Sequence, residues 1–488
     1  MHMAITNPPH AAVLASPGLG HLIPLLELAK RLVTFHDMHV TFLVITTHAS
    51  AVQSQLLRSS SLPDGLRLHL LPSVDASSLF PRDTTLVVRI STIVRASLPS
   101  IRSTIADQPR PSVLIGDIFC TDLFEMAKEL SVPMYVFFTA SAKLLAFMLH
   151  LPTLDEEVEG EYVNLPGPVA IPGCDPIRTA DLIDQVRNRK IDEYKCFLHH
   201  ASRMCMAKGI LVNTSDDIEP KTLAALRVDP DFDKLRPTPL PPVYPVGPLI
   251  KSDDGDQAEV MTWLDDQPAD SVLYISFGSG GTLSAEQVTE LARGLELSQQ
   301  RFIWVVRPPS SESKAAASGT FFNVGSEHEE PSDFLPDGFL ERIKGVGMVV
   351  SSWVPQVKVL RHASTGGFLT HCGWNSILES VVHGVPMIAW PLYAEQRMNA
   401  TMLVESLGVA ARPLSPPGRV VGREEIERVV RMVMEAEEGA QMRCRVEELK
   451  QRLSKAIEEK RTSYNLFCEV EKWKMGSKSS LGVKGHSQ

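Results

Sequence analysis

Two series of short apolar runs, alternating with helix-periodic stretches and divided by prolines at 237, 239, 241, 242, 245 and 248, constrain this chain most. In the first series Ala11–Ala15, Val40–Ile45, Leu66–Leu71, Ser112–Gly116 and Pro133–Phe138 have the length and bounded apolar character of buried strands. His21–Phe35 carries Leu22, Leu25, Leu26, Leu28, Ala29 and Leu32 at helical spacing, and Asp122–Leu130 reads as another helix. The second series predicts strands over Val272–Phe277, Phe302–Val306, Gly347–Ser351, Gly367–Thr370 and Pro386–Trp390, with helices over Ala285–Leu297 and Asn375–His383. Continuously apolar strands separated by helices form parallel sheets covered on both faces. Prolines at that density cannot lie in a helix or a central strand, so the segment reads as a stiff connector.

The expected fold is therefore α/β, with two doubly wound domains. Residues 1–236 form the first, 237–250 the linker and 251–460 the second, ending in the charged helical stretch 422–460. Residues 461–473 are expected as a helix returning to the first domain, 474–488 as a disordered tail, and 308–331 as a loop without periodicity. Facing doubly wound domains leave a cleft at the carboxyl ends of both sheets, which is where a ligand is expected.

Bulk composition removes several functions. The 488 residues carry a net charge of −10, which disfavours nucleic acid or an anionic membrane surface as partner. No stretch reaches the roughly 20 apolar residues of a membrane span, and residues 1–10 lack a signal-peptide core. The seven scattered cysteines include no C-x-x-C pair, pointing to a reducing, cytoplasmic setting rather than a disulfide framework or a zinc site. An acidic chain that binds an anion must concentrate positive potential locally.

The N-terminal loop Ser16-Pro17-Gly18-Leu19-Gly20-His21 links the first strand to the first helix. As a dinucleotide fingerprint it fails: Ile23 stands where the third glycine belongs, and Thr46-Thr47-His48 offers no acidic residue for a ribose. The other reading centres on His21, an imidazole at a strand's carboxyl end that can accept a proton. Asp117 ends another apolar run, Leu114-Ile115-Gly116-Asp117, and a carboxylate at that depth needs a partner. Strand carboxyl ends of a parallel sheet share one edge, so the two can meet. Asp122 is the rival carboxylate, but the helical run after it makes it a cap or first-turn residue.

Most of the chemistry lies in residues 353–396: Trp353-Val354-Pro355-Gln356, His371-Cys372-Gly373-Trp374-Asn375-Ser376, Glu379 and Glu395-Gln396. A flat aromatic face, unpaired N–H groups at a helix start and hydroxyl-binding carboxylates and amides are what a nucleotide linked to a sugar requires. Glu379 lies one helical turn beyond Asn375, so both share a face. A metal reading of His371-Cys372 finds no second ligand at suitable spacing.

The stretch resembles, along its whole length, the signature box of the plant family 1 UDP-sugar-dependent glycosyltransferases. That resemblance implies the GT-B fold, two facing Rossmann-like domains with UDP-glucose as co-substrate in the cleft and no other cofactor. It implies donor contacts at Trp353, Val354, Gln356, His371, Trp374, Asn375, Ser376, Glu379, Glu395 and Gln396, with Trp353 stacked on uracil and the last two on sugar hydroxyls. A glutamine at the box's end, with Trp374, goes with glucose in that family. It also implies a His21–Asp117 base dyad, a sugar contact at Thr139 (by itself a candidate helix cap) and a second diphosphate contact at Ser279 in the turn Ser276–Thr282. The Asp-x-Asp spellings at 229–231 and 254–256 flank the proline segment and read as solvated loop charge, so no metal is expected.

The runs Ile171–Pro176, Tyr194–His200 and Pro391–Gln396 resemble the hydroquinone and monolignol glucosyltransferase branch, which implies a small aromatic acceptor and transfer with inversion. Phe119, Phe137, Phe147 and Tyr393 are candidates for its pocket. Two alternatives stay open: C-glucosylation of a polyphenol ring with the same dyad, and a non-catalytic protein that binds a UDP-sugar or phenolic ligand. Oligomeric state is not readable from the sequence.

Overall fold

A computed structural model describes residues 8–46, 62–74, 79–81, 84–228, 240–251, 258–309, 330–351, 353–414, 419–458 and 469–473. The first half builds a seven-stranded sheet from β1 (His10–Ala15), β2 (His39–Val44), β3 (Leu66–Leu70), β4 (Val113–Asp117), β5 (Met134–Phe138), β6 (Gly209–Val212) and β7 (Val243–Pro245), in the order β3-β2-β1-β4-β5-β6-β7. The second half builds a six-stranded sheet from β8 (Val272–Ser276), β9 (Arg301–Val305), β10 (Gly347–Val350), β11 (Thr365–Thr370), β12 (Met387–Ala389) and β13 (Ala410–Ala411), in the order β10-β9-β8-β11-β12-β13. Every pairing is parallel.

Alternate residues of one strand feed opposite faces, and both faces are covered. In β1, Ala12 and Leu14 join the apolar core on one side of the sheet, while Ala11, Val13 and Ala15 join the core on the other. Tyr274 and Ile275 of β8 divide likewise. In each sheet the winding reverses once, between β1 and β4 and between β8 and β11. Crevices at the carboxyl ends of open parallel sheets form at such reversals. The pairing of Leu14 with Gly116 brings the loop after β1 beside Asp117, and the pairing of Ser276 with Thr370 brings the loop after β8 beside His371.

The proline-dense segment supplies a strand as well as a connection. Val243–Pro245 closes the sheet as its edge, a place where a proline without an N–H is tolerated. Several helices were not legible in the sequence, and three of them shape the first domain. Leu86–Ala106 and Ala142–Glu157 contain Pro99 and Pro152, and Ala142–Leu151 is buried on every side, so no polar face marks its period. Asp192–Arg203 is the third. Arg423–Met434 and Glu437–Glu458 are helical, and 469–473 form a helical turn whose Val470 and Trp473 pack into the first domain's core. Tyr135 donates to Glu469 at 2.5 Å. The expected tail 474–488, most of the loop 308–331 and both Asp-x-Asp spellings lie outside the described residues.

Among the described residues no helix is long and apolar enough to cross a membrane. Nor does any group of three or more His, Cys, Asp or Glu side chains there have the arrangement to hold a metal ion.

Candidate active site

A cavity of about 270 Å³ lies between the halves, at the carboxyl ends of both sheets. On its N-terminal side, helix Leu19–His36 starts directly after the glycine loop and presents His21 to the opening. Asp117, wholly buried at the end of β4, has its Oδ2 3.3 Å from His21 Nδ1. The Ser16 N–H donates to the same oxygen (2.7 Å) and the Phe119 N–H to Oδ1 (2.9 Å), so the carboxylate is fixed from three directions. Burial works to raise the Asp117 pKa, but the His21 ring and the Ser16 hydrogen bonds outweigh it and hold the group below the ordinary carboxylate value. With Nδ1 turned to Asp117, Nε2 is the nitrogen left for the cleft. Phe119 backs the imidazole, with ring centroids 5.2 Å apart.

Asp122 does not cap the helix Leu123–Leu130, although it occupies the N-cap position. Its carboxylate pairs instead with Arg95 and His199, each at 3.1 Å. Thr139 is likewise no cap: Ser141 caps the next helix by accepting from the Leu144 N–H, and Thr139 Oγ1 lies 3.4 Å from His21 Nδ1 at the cavity wall.

On the C-terminal side, Trp353, Val354, Gln356, His371, Trp374, Asn375, Ser376, Glu379, Glu395, Gln396 and Ser279 all line the same cavity. Several of their polar groups are already engaged. The Trp374 indole N–H donates to the Asn213 carbonyl of the other half (2.7 Å), so that N–H does not serve a ligand. Asn375 Nδ2 donates to the Gly20 carbonyl (3.1 Å), the residue just before His21, which fixes the amide's orientation. Its Oδ1 is buried without a partner among the described residues, and an acceptor there suits a hydroxyl rather than a phosphate oxygen. Gln356 Nε2 donates to Ser376 Oγ (2.9 Å) and Glu379 Oε2 (2.6 Å), and its Oε1 accepts from the Tyr274 hydroxyl (3.2 Å). It orients Glu379 as much as it faces the cleft. Gln396 Oε1 accepts from the Leu392 and Tyr393 N–H groups (2.8 and 2.9 Å), which leaves its Nε2 as the donor.

His371 is clamped. A Cβ at Gly278, whose φ is +73°, would stand 2.4 Å from the ring, and one at Gly373 would be as close to Nε2. Burial first, then the charge of Arg307, pushes the His371 pKa down to about 4, so the ring is a neutral donor rather than a cation. The cations are ones that sequence reasoning missed: Lys251, Arg307 and Lys358 all line the cavity. Arg307 Nη1 is buried with no hydrogen-bond partner among the described residues. A single arginine after β9 carries no local pattern to announce it.

Of the aromatic candidates, Phe119 and Tyr393 line the cavity, and burial pushes the Tyr393 hydroxyl up to about 12. Phe137 and Phe147 do not. They sit at 0% and 1% exposure in the two cores of the first domain, Phe137 on the β5 face away from Phe138. The apolar wall near His21 comes instead from Ile90, Ile118, Leu144 and Phe197.

Burial raises the Glu379 carboxyl from 4.5 to about 7, against the lowering effect of its Gln356 hydrogen bond. The folded protein therefore holds a proton that the unfolded chain releases, and this contribution to stability is full below pH 4.5 and lost as pH rises through about 7. Glu379→Gln, which cannot ionise, should leave melting near pH ~4.5 unchanged and stabilise the ligand-free protein at pH ~8 by up to about 3 kcal/mol. Melting curves across that range check it; a variant less stable than the parent at high pH would contradict it.

Two facing parallel-sheet domains, with a histidine–aspartate pair across a cleft from a helix start, a buried cation and two cleft-lining carboxylates, suit a transferase for nucleotide-linked sugars. Residues 183–437 match the UDP-glucoronosyl and UDP-glucosyl transferase family, and the chain belongs to it as a UDP-sugar-dependent glycosyltransferase of the GT-B fold. It is 47% identical to the hydroquinone glucosyltransferase of Rauvolfia serpentina, over 95% of this chain and 98% of that one. UGT2 of Phytolacca americana, solved with UDP-2-fluoro-glucose and pterostilbene, superposes with a TM-score of 0.84 at 43% identity, covering 96% of this chain and 100% of that one. A Polygonum tinctorium UDP-glucosyltransferase that glucosylates indoxyl, solved with 3,4-dichloroaniline, gives 0.85 at 44% identity, covering 96% and 99%.

Proposed function

We propose that the protein transfers glucose from UDP-glucose to a hydroxyl of a small phenolic acceptor, with inversion, giving a β-glucoside. The observation that carries this reading is His21 at the cavity wall with Nδ1 held by a buried aspartate, beside an apolar lining. His21 Nε2 takes the acceptor proton while the oxygen attacks the anomeric carbon from the side opposite UDP. Asp117 fixes the tautomer and stabilises the imidazolium that forms. A phenol, with a pKa of about 10, lies within reach of such a base. Trp353 stacks on the uracil, Glu379 and Gln356 face the ribose, and Glu395 with Gln396 Nε2 holds the sugar hydroxyls. Charge developing on the departing diphosphate is offset by protein groups: the N–H groups at the start of helix Trp374–His383, neutral His371, Ser279 and Arg307. The reading includes a cytoplasmic setting, in keeping with the scattered cysteines.

The aromatic ligands of the Phytolacca and Polygonum enzymes and the name of the Rauvolfia relative support the acceptor class. The test is mass spectrometry of products formed from UDP-glucose or UDP-galactose with phenols, flavonoids and lignin precursors, with and without a metal chelator. A hexose adduct from UDP-glucose that hydrolyses in acid, formed at an unchanged rate with chelator, is the expected result. An acid-stable adduct would mean attack through a ring carbon, and no turnover across the panel would leave a binding protein.

A further inference from the structure

The 3₁₀ turn Asp184–Val186 belongs to the first half of the chain, yet its contacts reach the opposite side of the cleft. Ile183 and Gln185 line the cavity. Between them Asp184 takes the backbone of Ala394 in both senses: its Oδ2 accepts from the Ala394 N–H (3.0 Å), and its own N–H donates to the Ala394 carbonyl (3.3 Å). Its Oδ1 pairs with Arg397. Ala394 has φ +53°, a left-handed conformation that a residue with a side chain rarely adopts and that surrounding contacts must hold. The next two residues are Glu395 and Gln396, and Gln396 closes the same turn through the Leu392 and Tyr393 N–H groups.

We infer that Asp184 is a positioning residue for donor-sugar recognition: the acceptor-side half sets the turn that carries the sugar-binding pair. The inference rests on the proposed role of Glu395 and Gln396. Hydrogen bonds to an unusual backbone conformation, supplied from across a cleft, make sugar recognition depend on the two halves being docked at this turn. The residues assigned to the uridine, Trp353 and Glu379, lie outside the turn Leu392–Gln396 that Asp184 holds, so UDP binding should be indifferent to it.

The test compares Asp184→Ala and Asp184→Asn with Gln396→Ala in the full chain. Kd for UDP is measured by calorimetry, and kcat/KM with UDP-glucose and UDP-galactose by product formation. Asp184→Asn keeps one acceptor for the Ala394 N–H and lacks the charge facing Arg397, so it should fall between parent and alanine variant. For Asp184→Ala, kcat/KM with UDP-glucose should drop about 10-fold or more, the preference for glucose over galactose should shrink, and UDP affinity should stay within about 2-fold. Equal losses in UDP and UDP-glucose recognition, or no change in donor preference, would overturn the inference. If Gln396→Ala also leaves donor preference unchanged, the assignment of the sugar-binding pair itself fails. If Gln396→Ala alters it and Asp184→Ala does not, only the positioning role of Asp184 fails.

Discussion

Replacing His21 by alanine should lower turnover with UDP-glucose and a phenol by about 10²–10⁴-fold, the range that a positioned general base supplies. UDP affinity should remain within about 2-fold of the parent, because the groups assigned to the nucleotide stand in the other half of the molecule. The loop geometry does not depend on the imidazole. Gly20 is held through its carbonyl by Asn375, and helix Leu19–His36 is anchored by a face of buried leucines that excludes His21. The variant should therefore fold and bind donor while failing to take the acceptor proton. Near-normal turnover would mean that the proton leaves by another route, and a parallel collapse of UDP binding would make His21 part of the donor site.

Asp117→Asn should also be severe, by up to about 10⁴-fold in kcat, through loss of ring orientation and tautomer rather than of the base itself. Two backbone N–H groups, from Ser16 and Phe119, point at this carboxylate. An amide can accept only with its oxygen, so its NH₂ faces one of those donors and the pocket is strained as well. Stability and catalysis then fall together, and a double-mutant comparison separates them. If Asp117 acts through His21, adding Asp117→Asn to His21→Ala should cause almost no further loss of rate. Multiplying losses would show that Asp117 contributes to turnover independently of the imidazole.

The parts of the site that could be read from sequence are those that topology or contiguity determines. His21 and Asp117 lie at carboxyl ends of neighbouring strands, and parallel order brings such ends together. The residues of 353–396 sit close in sequence, and all those named in the site share one cavity. What stayed hidden has no local pattern. Asn213 and Gly20 meet Trp374 and Asn375 through backbone carbonyls, which carry no residue-type signal. Asp184 and Arg307 are single charges in ordinary surroundings, made important only by what folds against them. Phe137 and Phe147 misled because a strand or helix buried on all sides does not reveal in its sequence which face meets a cavity. The same uniform burial concealed the helix Ala142–Glu157, while Val243–Pro245 shows prolines serving a sheet edge inside a connecting segment.

The most direct measurement is a structure of this protein with non-transferable UDP-2-fluoro-glucose and a phenolic acceptor bound together. The acceptor oxygen should lie about 2.6–3.2 Å from His21 Nε2 and roughly 3–3.5 Å from the anomeric carbon, on the face opposite the diphosphate, with Asp117 still on Nδ1. An acceptor seated in the cleft with its hydroxyl out of reach of Nε2, or a donor whose sugar lies away from Glu395 and Gln396, would contradict the proposed transfer.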